Sequence, residues 1–506
     1  MSIQKIGIVG SGVMGRGIAQ LFILNGKNVY LNDVSYQLVE NATEYIEDIL
    51  KKLQTKGKIS ENKKFEAVNL LYKAKSIEEL SGCDLVIEAV SEDINLKKDI
   101  FKRLETIVRK DCILTTNTSS LSITEIASVC KNPERVAGLH FFNPVPLMKI
   151  VEIVKGIRTN EEICNKLVDL INETGHKAVI AKDTPGFIVN HAGRAYVTEA
   201  LAILEESIAQ PSEIDIILKE SVGFKMGPFE LLDLTGVDVT HPVTESIYNQ
   251  FYQDPKYRPS YLLRLRMLAG LLGRKTNQGF YSYNNQTDKI LDDSTKNTVY
   301  SKYLDKNLSV WVSKNDIDKY NIVINFLEQN KINIQDSLKP FDKTLCIITP
   351  IGDDATTSIL KENLDPTRTV AIDTLLGIDN HRTLMGSPIL NKEYKELALS
   401  IFQSDGKTAT FIKDSPGFII QRVLAMIVNI GCTIAQKEIT KPTDIDVAVK
   451  AGLGYPMGPL EFGDYIGPKN VLSILEKMFD IYKDPRYRAS SWLMRRAKLG
   501  VSLLTE

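Results

Sequence analysis

KIGIVGSGVMGRGIAQLFILNGKNVYLND, residues 5–33, decides the fold of the amino-terminal third. An apolar run from Ile6 to Val9 reads as a buried strand, and the amphipathic stretch after the glycines as a helix. A second strand follows from Asn28 to Asn32, closed by Asp33. Gly10, Gly12 and Gly15 form G-x-G-x-x-G between strand and helix. In a dinucleotide fold the first glycine permits the tight turn, the second lets a pyrophosphate approach the backbone, and the third allows close helix–strand packing. The phosphates then meet the free N–H groups of the helix start. A glycine triplet alone is also consistent with a flexible turn. Here the strand before, the helix after and the acid at 33 agree on the nucleotide reading. Asp33 would accept bonds from ribose hydroxyls and repel a 2′-phosphate, which favours NAD as cofactor over NADP.

Further strands are expected at Leu85–Val90 and Cys112–Thr116, separated by the charged helix NLKKDIFKRLETIVRK, residues 95–110. This βα alternation predicts a doubly wound α/β Rossmann-type domain. The stretch NTSS, 117–120, stands where strand ends meet ligands; its hydroxyls suit a substrate or a nicotinamide ribose, and equally suit the cap of a following helix.

At 506 residues the chain exceeds one hydrophobic core, and about three to five domains of ~100–200 residues are expected. With 62 basic and 63 acidic side chains it offers no polybasic footprint for nucleic acid or an anionic membrane. No charged-then-apolar leader opens the sequence and no apolar run reaches membrane-spanning length, so a cytoplasmic protein is expected. The six cysteines are scattered, with no C-x-x-C pair and no histidine at ligand spacing. Reduced thiols and no metal site are expected.

RVAGLHFF, 135–142, reads as a strand, NPVP as a turn and KIVEIV, 149–154, as a returning strand. Folding about Pro146 sets His140 opposite Glu152, at the ~5 Å Cβ spacing of cross-strand partners. A carboxylate that fixes the imidazole leaves its other nitrogen free to take a proton from a hydroxyl. The alternative is a surface hairpin with an incidental His–Glu pair.

The glycine fingerprint, NTSSLSIT, GLHFFNPVPLMKIVE, KDTPGFIVN, MGPFELLD and GRKTNQGFY occur in the order found in 3-hydroxyacyl-CoA dehydrogenases, and the chain resembles that family from residue 5 to about 285. The resemblance implies reversible hydride transfer between C3 of an (S)-3-hydroxyacyl-CoA and NAD, in fatty-acid or phenylacetate-type catabolism. It implies that His140 is the general base, Glu152 its orienting partner, and Ser119 and Asn190 the holders of the substrate oxygen. Gly10, Gly12, Val13, Met14, Gly15 and Asp33 are implied to bind NAD, with Glu92, Lys97, Ser119, Asn143 and Lys275 on its ribose and nicotinamide side. Lys56, in the basic run KKLQTKGK, matches a family position that meets CoA phosphates; a solvated helical face is its plain alternative. His191 departs from the family, which usually carries Arg after the Asn of GFIVN. Two competing readings are a β-hydroxyacid dehydrogenase, which usually relies on a lysine base, and a non-catalytic NAD- or CoA-binding protein.

The chain also repeats itself. Asp183–Gly236 and Asp414–Gly467 align without a gap at an offset of 231, with 19 identities in 54 positions. Upstream of the second repeat, RTVAID, 368–373, lies against RVAGLH, so Asp373 stands for His140, and Thr383–Met385 falls where Glu152 would be. Gln421 stands for Asn190. TLCIITPIGDD, from Thr344, offers a strand but one glycine where the fingerprint would be, and KTNQGFY finds no counterpart. Residues kept in both copies, such as Pro185, Glu230 and Asp233, are read as scaffold. The expected domains are a Rossmann domain at 1–182, a helical domain at 183–285, a linker at 286–340, a degenerate Rossmann-like domain at 341–411 and a second helical domain at 412–506. The whole resembles the longer bacterial members of the family, with HPVTESIYNQFYQDPKYRPS at 241–260 typical of them. It implies an intramolecular pseudo-dimer of one active and one degenerate unit, and further association into a homo-oligomer is compatible with it.

Overall fold

The computed structural model describes residues 3–284 and 309–506; the polar stretch read as the start of a linker lies, from residue 285 to 308, outside them. The chain divides into two compact units, Met1–His191 with Lys437–Leu453, and Ala192–Gln436 with Gly454–Glu506.

The first unit is built on eight strands: β1 (Lys5–Val9), β2 (Asn28–Asn32), β3 (Leu71–Lys73), β4 (Leu85–Glu88), β5 (Ile113–Thr116), β6 (Val136–Phe141), β7 (Ile150–Lys155) and β8 (Lys177–Lys182). They lie in the order β3-β2-β1-β4-β5-β6-β7-β8. All neighbours are parallel except β6 and β7. β4 to β6 are buried along their whole length, the pattern of a sheet covered on both faces. The order reverses between β1 and β4, which opens the crevice where α/β folds bind nucleotides. The expected doubly wound domain is thus present.

The glycines show why they stand there. Gly10 follows β1 at φ +105°, and a Cβ on it would lie 2.5 Å from the carbonyl oxygen of Ala89, beyond β4. A Cβ on Gly15 would lie 1.8 Å from the Gly10 carbonyl oxygen, while one on Gly12 would meet nothing within 4 Å. Two glycines serve close backbone approach and one leaves open room at the start of the helix Val13–Leu24.

The second unit carries β9 (Val310–Val312), β10 (Leu345–Ile348), β11 (Thr369–Ile372), β12 (Arg382–Gly386) and β13 (Ala409–Ile412) in the order β13-β12-β11-β10-β9. Only β11 and β12 are antiparallel. Among the described residues this sheet repeats β4 to β8, with no counterpart of β1 to β3. Its hydrogen bonds repeat as well. Asp93 caps the helix Ile94–Ile107 and Asp316 the helix Ile317–Gln329, each accepting from the N–H groups two and three residues on. Arg135 donates to the carbonyls of Arg109 and Cys112, and Arg368 to those of Phe341 and Thr344.

Three expectations change accordingly. The segment expected as linker carries β9 and the helix Ile317–Gln329 over its described part; Val-Trp-Val is too short a run to stand out beside the polar residues around it. TLCIITPIGDD is the counterpart of CILTTNTSS at β5, not of the glycine fingerprint, because β10 pairs with β11 as β5 pairs with β6. Among the described residues the second copy therefore holds no counterpart of the strand and helix that flank the fingerprint. The chain end, in turn, supplies a stand-in for the segment around KTNQGFY: Asp233 accepts from the N–H groups of Phe280 and Tyr281, and Asp464 from Leu503 N–H and Ser502 Oγ.

Within the second unit the two helical copies are tied by a buried charge cluster. Arg422, fully buried, donates from Nε to Glu199 Oε1 at 2.9 Å and from Nη2 to Glu206 Oε1 at 2.7 Å. The hydroxyls of Tyr482 and Tyr487 accept further bonds from its guanidinium. Arg422 occupies the repeat position of His191, so the arginine absent from the first copy is kept in the second. Replacing one partner of such a pair strands the other charge in the interior. Arg422→Met is expected to destabilise the second unit by about 3–5 kcal/mol, read as a lowered urea midpoint, with part of the loss recovered on adding Glu199→Gln.

Candidate active site

Three segments of the first unit converge on one point: the β6–β7 hairpin, the loop after β5 and the turn before the helix Val189–Glu205. The register pairs His140 with Glu152, as the two-proline turn predicts. His140 Nδ1 lies 2.6 Å from Glu152 Oε2, and both side chains are buried. Glu152 Oε1 accepts from the backbone N–H groups of Ile188 and Val189 at 2.9 and 2.8 Å. The carboxylate thus has both oxygens engaged and faces the positive end of a helix. Those N–H groups are aimed by the PGF turn, in which Gly186 and Phe187 adopt φ of +74° and +50°. The rings of Phe142 and Phe187 pack against the imidazole, with centroids 4.4 and 5.8 Å away. Its Nε2 makes no hydrogen bond among the described residues.

The hairpin is fixed at its turn end by two contacts. Asn117 Oδ1 accepts from Phe141 N–H at 2.8 Å, and His176 Nε2 lies 3.0 Å from the carbonyl oxygen of Val145 in the turn. Burial lowers the pKa of His176. Val145 lies against Gly17, so the turn rests on the helix of the glycine loop. Asn143 is exposed in the same turn.

The loop 117–120 is held by Glu92. Its Oε1 accepts from Thr118 Oγ1 at 2.6 Å, from the N–H groups of Ser119 and Ser120 and from Ser120 Oγ. Ser119 Oγ stands 3.4 Å from the same oxygen, and Asn190 Nδ2 donates to Ser119 O at 3.4 Å. Burial works against ionisation of Glu92, but the Thr118 bond and the Lys97 charge outweigh it and hold the carboxyl below its usual range. Lys97 is buried; its ammonium bonds Glu88 Oε1 at 2.7 Å and lies 3.5 Å from Glu92 Oε2. The second Glu88 oxygen accepts from Thr116 Oγ1. Glu88 escaped the reading of the sequence, as did the clamping of the loop by Glu92. A buried acid at the end of an apolar strand was the available signal.

A cavity of about 680 Å³ lies at the β1–β4 switch point, lined by Gly10, Gly12, Asp33, Val34, Ala89 and Ile100 among others. Asp33 Oδ2 accepts from Ser11 N–H and Ser11 Oγ at 2.6 and 2.7 Å. The open space at Gly12, the helix start at Val13 and Met14 and the acid across the cavity fit a dinucleotide. Lys56 is exposed at the end of the helix Tyr36–Thr55. Lys275 belongs to the second unit, where its ammonium pairs with Asp238. Among the described residues no group of His, Cys, Asp and Glu side chains is arranged to hold a metal ion, and no helix is long and apolar enough to cross a membrane. All six cysteines are buried free thiols.

The same point in the second unit is built differently. Register carried one step beyond β11 and β12 sets Asp373 against Thr383, with Asp373 N–H donating to Thr383 O. Gln421, one methylene longer than Asn190, donates to Asp373 Oδ1 and Pro350 O and accepts from Gly352 N–H. It thereby locks the loop after β10. Burial pushes the Asp373 carboxyl up to about 6.

Residues 5–184 match the family described as 3-hydroxyacyl-CoA dehydrogenase, NAD binding domain. Residues 186–283 and again 417–502 match 3-hydroxyacyl-CoA dehydrogenase, C-terminal domain. The chain is 35% identical over 499 residues to a 3-hydroxyadipyl-CoA dehydrogenase of Escherichia coli, covering 99% of this chain and 98% of that one. It is 40% identical to a 3-hydroxybutyryl-CoA dehydrogenase of Clostridioides difficile, over 56% of this chain and all of that one. The crystal structure of a 3-hydroxybutyryl-CoA dehydrogenase from Escherichia coli superposes with a TM-score of 0.85 at 33% identity, over 99% of both chains. A dinucleotide crevice, a duplicated helical region and these matches agree: the chain belongs to the 3-hydroxyacyl-CoA dehydrogenase family of NAD-dependent oxidoreductases.

Proposed function

We propose that the first unit interconverts (S)-3-hydroxyacyl-CoA and 3-oxoacyl-CoA with His140 as the general base and Glu152 as its orienting partner. The observation that carries this reading is the 2.6 Å contact of His140 Nδ1 with a carboxylate whose other oxygen is held by two backbone N–H groups. When bound, NAD supplies the acceptor for the hydride of C3. The hydroxyl proton is the protein's task. His140 Nε2 takes it in oxidation and returns it in reduction, while Glu152 keeps Nδ1 protonated and stabilises the imidazolium that forms. Because one nitrogen can both take the proton and return it, the reaction is read as reversible.

Ser119 and Asn190 hold the substrate oxygen, supported by their placement on the loop and helix that flank the hairpin. Glu92 keeps Ser119 in position through the loop, and the Thr118 bond and the Lys97 charge keep Glu92 ionised, which gives the acid and the lysine a role in shaping the nicotinamide side. Gly10, Gly12, Val13, Met14, Gly15 and Asp33 bind the cofactor, joined on the family match by Asn143 and Lys275. The exposed Lys56 meets the CoA phosphates. The pathway we propose is fatty-acid or phenylacetate-type catabolism, supported by likeness to relatives named for 3-hydroxyadipyl-CoA and 3-hydroxybutyryl-CoA. The second copy stands in for a second subunit, in an intramolecular pseudo-dimer.

His140→Gln is expected to lower kcat by about 10²–10⁴-fold for acetoacetyl-CoA reduction, followed by NADH absorbance, with NADH affinity retained. Near-normal turnover would overturn the assignment. In the second unit, Asp373→Asn and Gln421→Ala are expected to leave kcat within about twofold, although Gln421→Ala costs about 1–3 kcal/mol of stability by stranding Gly352 N–H. A large loss of kcat at unchanged stability would contradict a purely structural second copy at that point.

A further inference from the structure

The segment Lys437–Leu453 comes from the second helical copy, yet it belongs to the compact unit of the catalytic hairpin. Lys182 N–H, on edge strand β8, donates to Ile439 O at 2.8 Å and anchors the segment. The helix Pro442–Leu453 follows, with Gly452 as its next-to-last residue. A Cβ on Gly452 would lie 3.0 Å from both γ-carbons of Val189 and 3.6 Å from Ile150 Cγ2. Both neighbours support Glu152. Val189 supplies one of the N–H groups on Oε1, and Ile150 lies two residues before Glu152 on the same face of β7.

Glycine is disfavoured inside helices, and alanine is otherwise the better residue there. Gly452 is not needed to end the helix, since Gly454, at φ +68°, lies just past it. Nor does the repeat demand a glycine: the counterpart of 452 in the first copy is Ser221, whose Oγ donates to His381 O. What remains is the fit against Val189 and Ile150.

We propose that Gly452 is a positioning residue for the dehydrogenase site. Its missing side chain lets the second copy's helix seat against Val189 and Ile150, and so fixes the N–H groups that hold Glu152. The second copy thereby contributes to catalysis through packing, even though its own loop and strands carry no catalytic residues. The proposal rests on the reading of His140 and Glu152 as base and orienter.

The test compares kcat, KM and NADH affinity for Gly452→Ala and Gly452→Val, alone and combined with Glu152→Gln, and for Gly452→Ala with Val189→Ala. Displacing a catalytic group by a fraction of an ångström is expected to lower kcat about 3–10-fold for Ala and up to about 100-fold for Val, with NADH affinity unchanged. Residues that act through one another are non-additive, so neither substitution should slow the Glu152→Gln enzyme further. Val189→Ala should restore much of the Gly452→Ala loss. Should the valine variant fail to fold, the alanine pair carries the test, since its methyl asks for a shift of only a few tenths of an ångström. Unchanged kcat in Gly452→Ala, or the same fold loss with and without Glu152→Gln, overturns the proposal. Wild-type turnover in Glu152→Gln alone would instead overturn the reading of the pair.

Discussion

The site depends on how one buried carboxylate is shared. Glu152 gives one oxygen to two backbone N–H groups at a helix start and the other to His140 Nδ1. A carboxylate buried without such partners would be costly, and partly satisfied networks of this kind are worse than none. Every nearby element serves this distribution. The antiparallel β6–β7 pair sets the register, the PGF turn aims the N–H groups, and the Asn117 and His176 bonds hold the turn end of the hairpin. Among the described residues the imidazole is left with one nitrogen unused.

Local and periodic features were legible in the sequence. The nucleotide half was readable because two of the three glycines answer a backbone requirement at a fixed place: Gly10 and Gly15 stand where any side chain would strike a carbonyl, and Gly12 leaves open room between them. The pairing of His140 with Glu152 was readable because strand residues alternate and a proline turn fixes the count. The cluster of Glu88, Lys97 and Glu92 was not, because Glu88 meets Thr116 across 28 residues and no spacing rule links them. Nor was the true extent of the second copy, since β9 is only three residues long and its identity comes from its place beside β10.

The second copy keeps bonds that fasten the fold and differs from the first where that copy carries His140, Glu152 and Asn190. Asp183 and Asp414 each accept two backbone N–H groups and a hydroxyl from the loop after the equivalent strand. Asp233 and Asp464 each fasten a later segment of the chain. By contrast Thr383 faces Asp373 where Glu152 faces His140, and Gln421 is spent on bonding the loop. Among the described residues, the three strands that would precede β9 to make a dinucleotide half have no counterpart in the five-stranded sheet. What the copy retains is a set of helices, one of which lies against the strand that bears Glu152.

The central claim is that His140 and Glu152 act as one unit. The most direct measurement is kcat for His140→Gln, Glu152→Gln and the double variant under one set of conditions. Residues acting as a unit are grossly non-additive, so the double variant should turn over about as slowly as His140→Gln alone. Losses that multiply would contradict the account and leave Glu152 a structural acid beside an independent histidine.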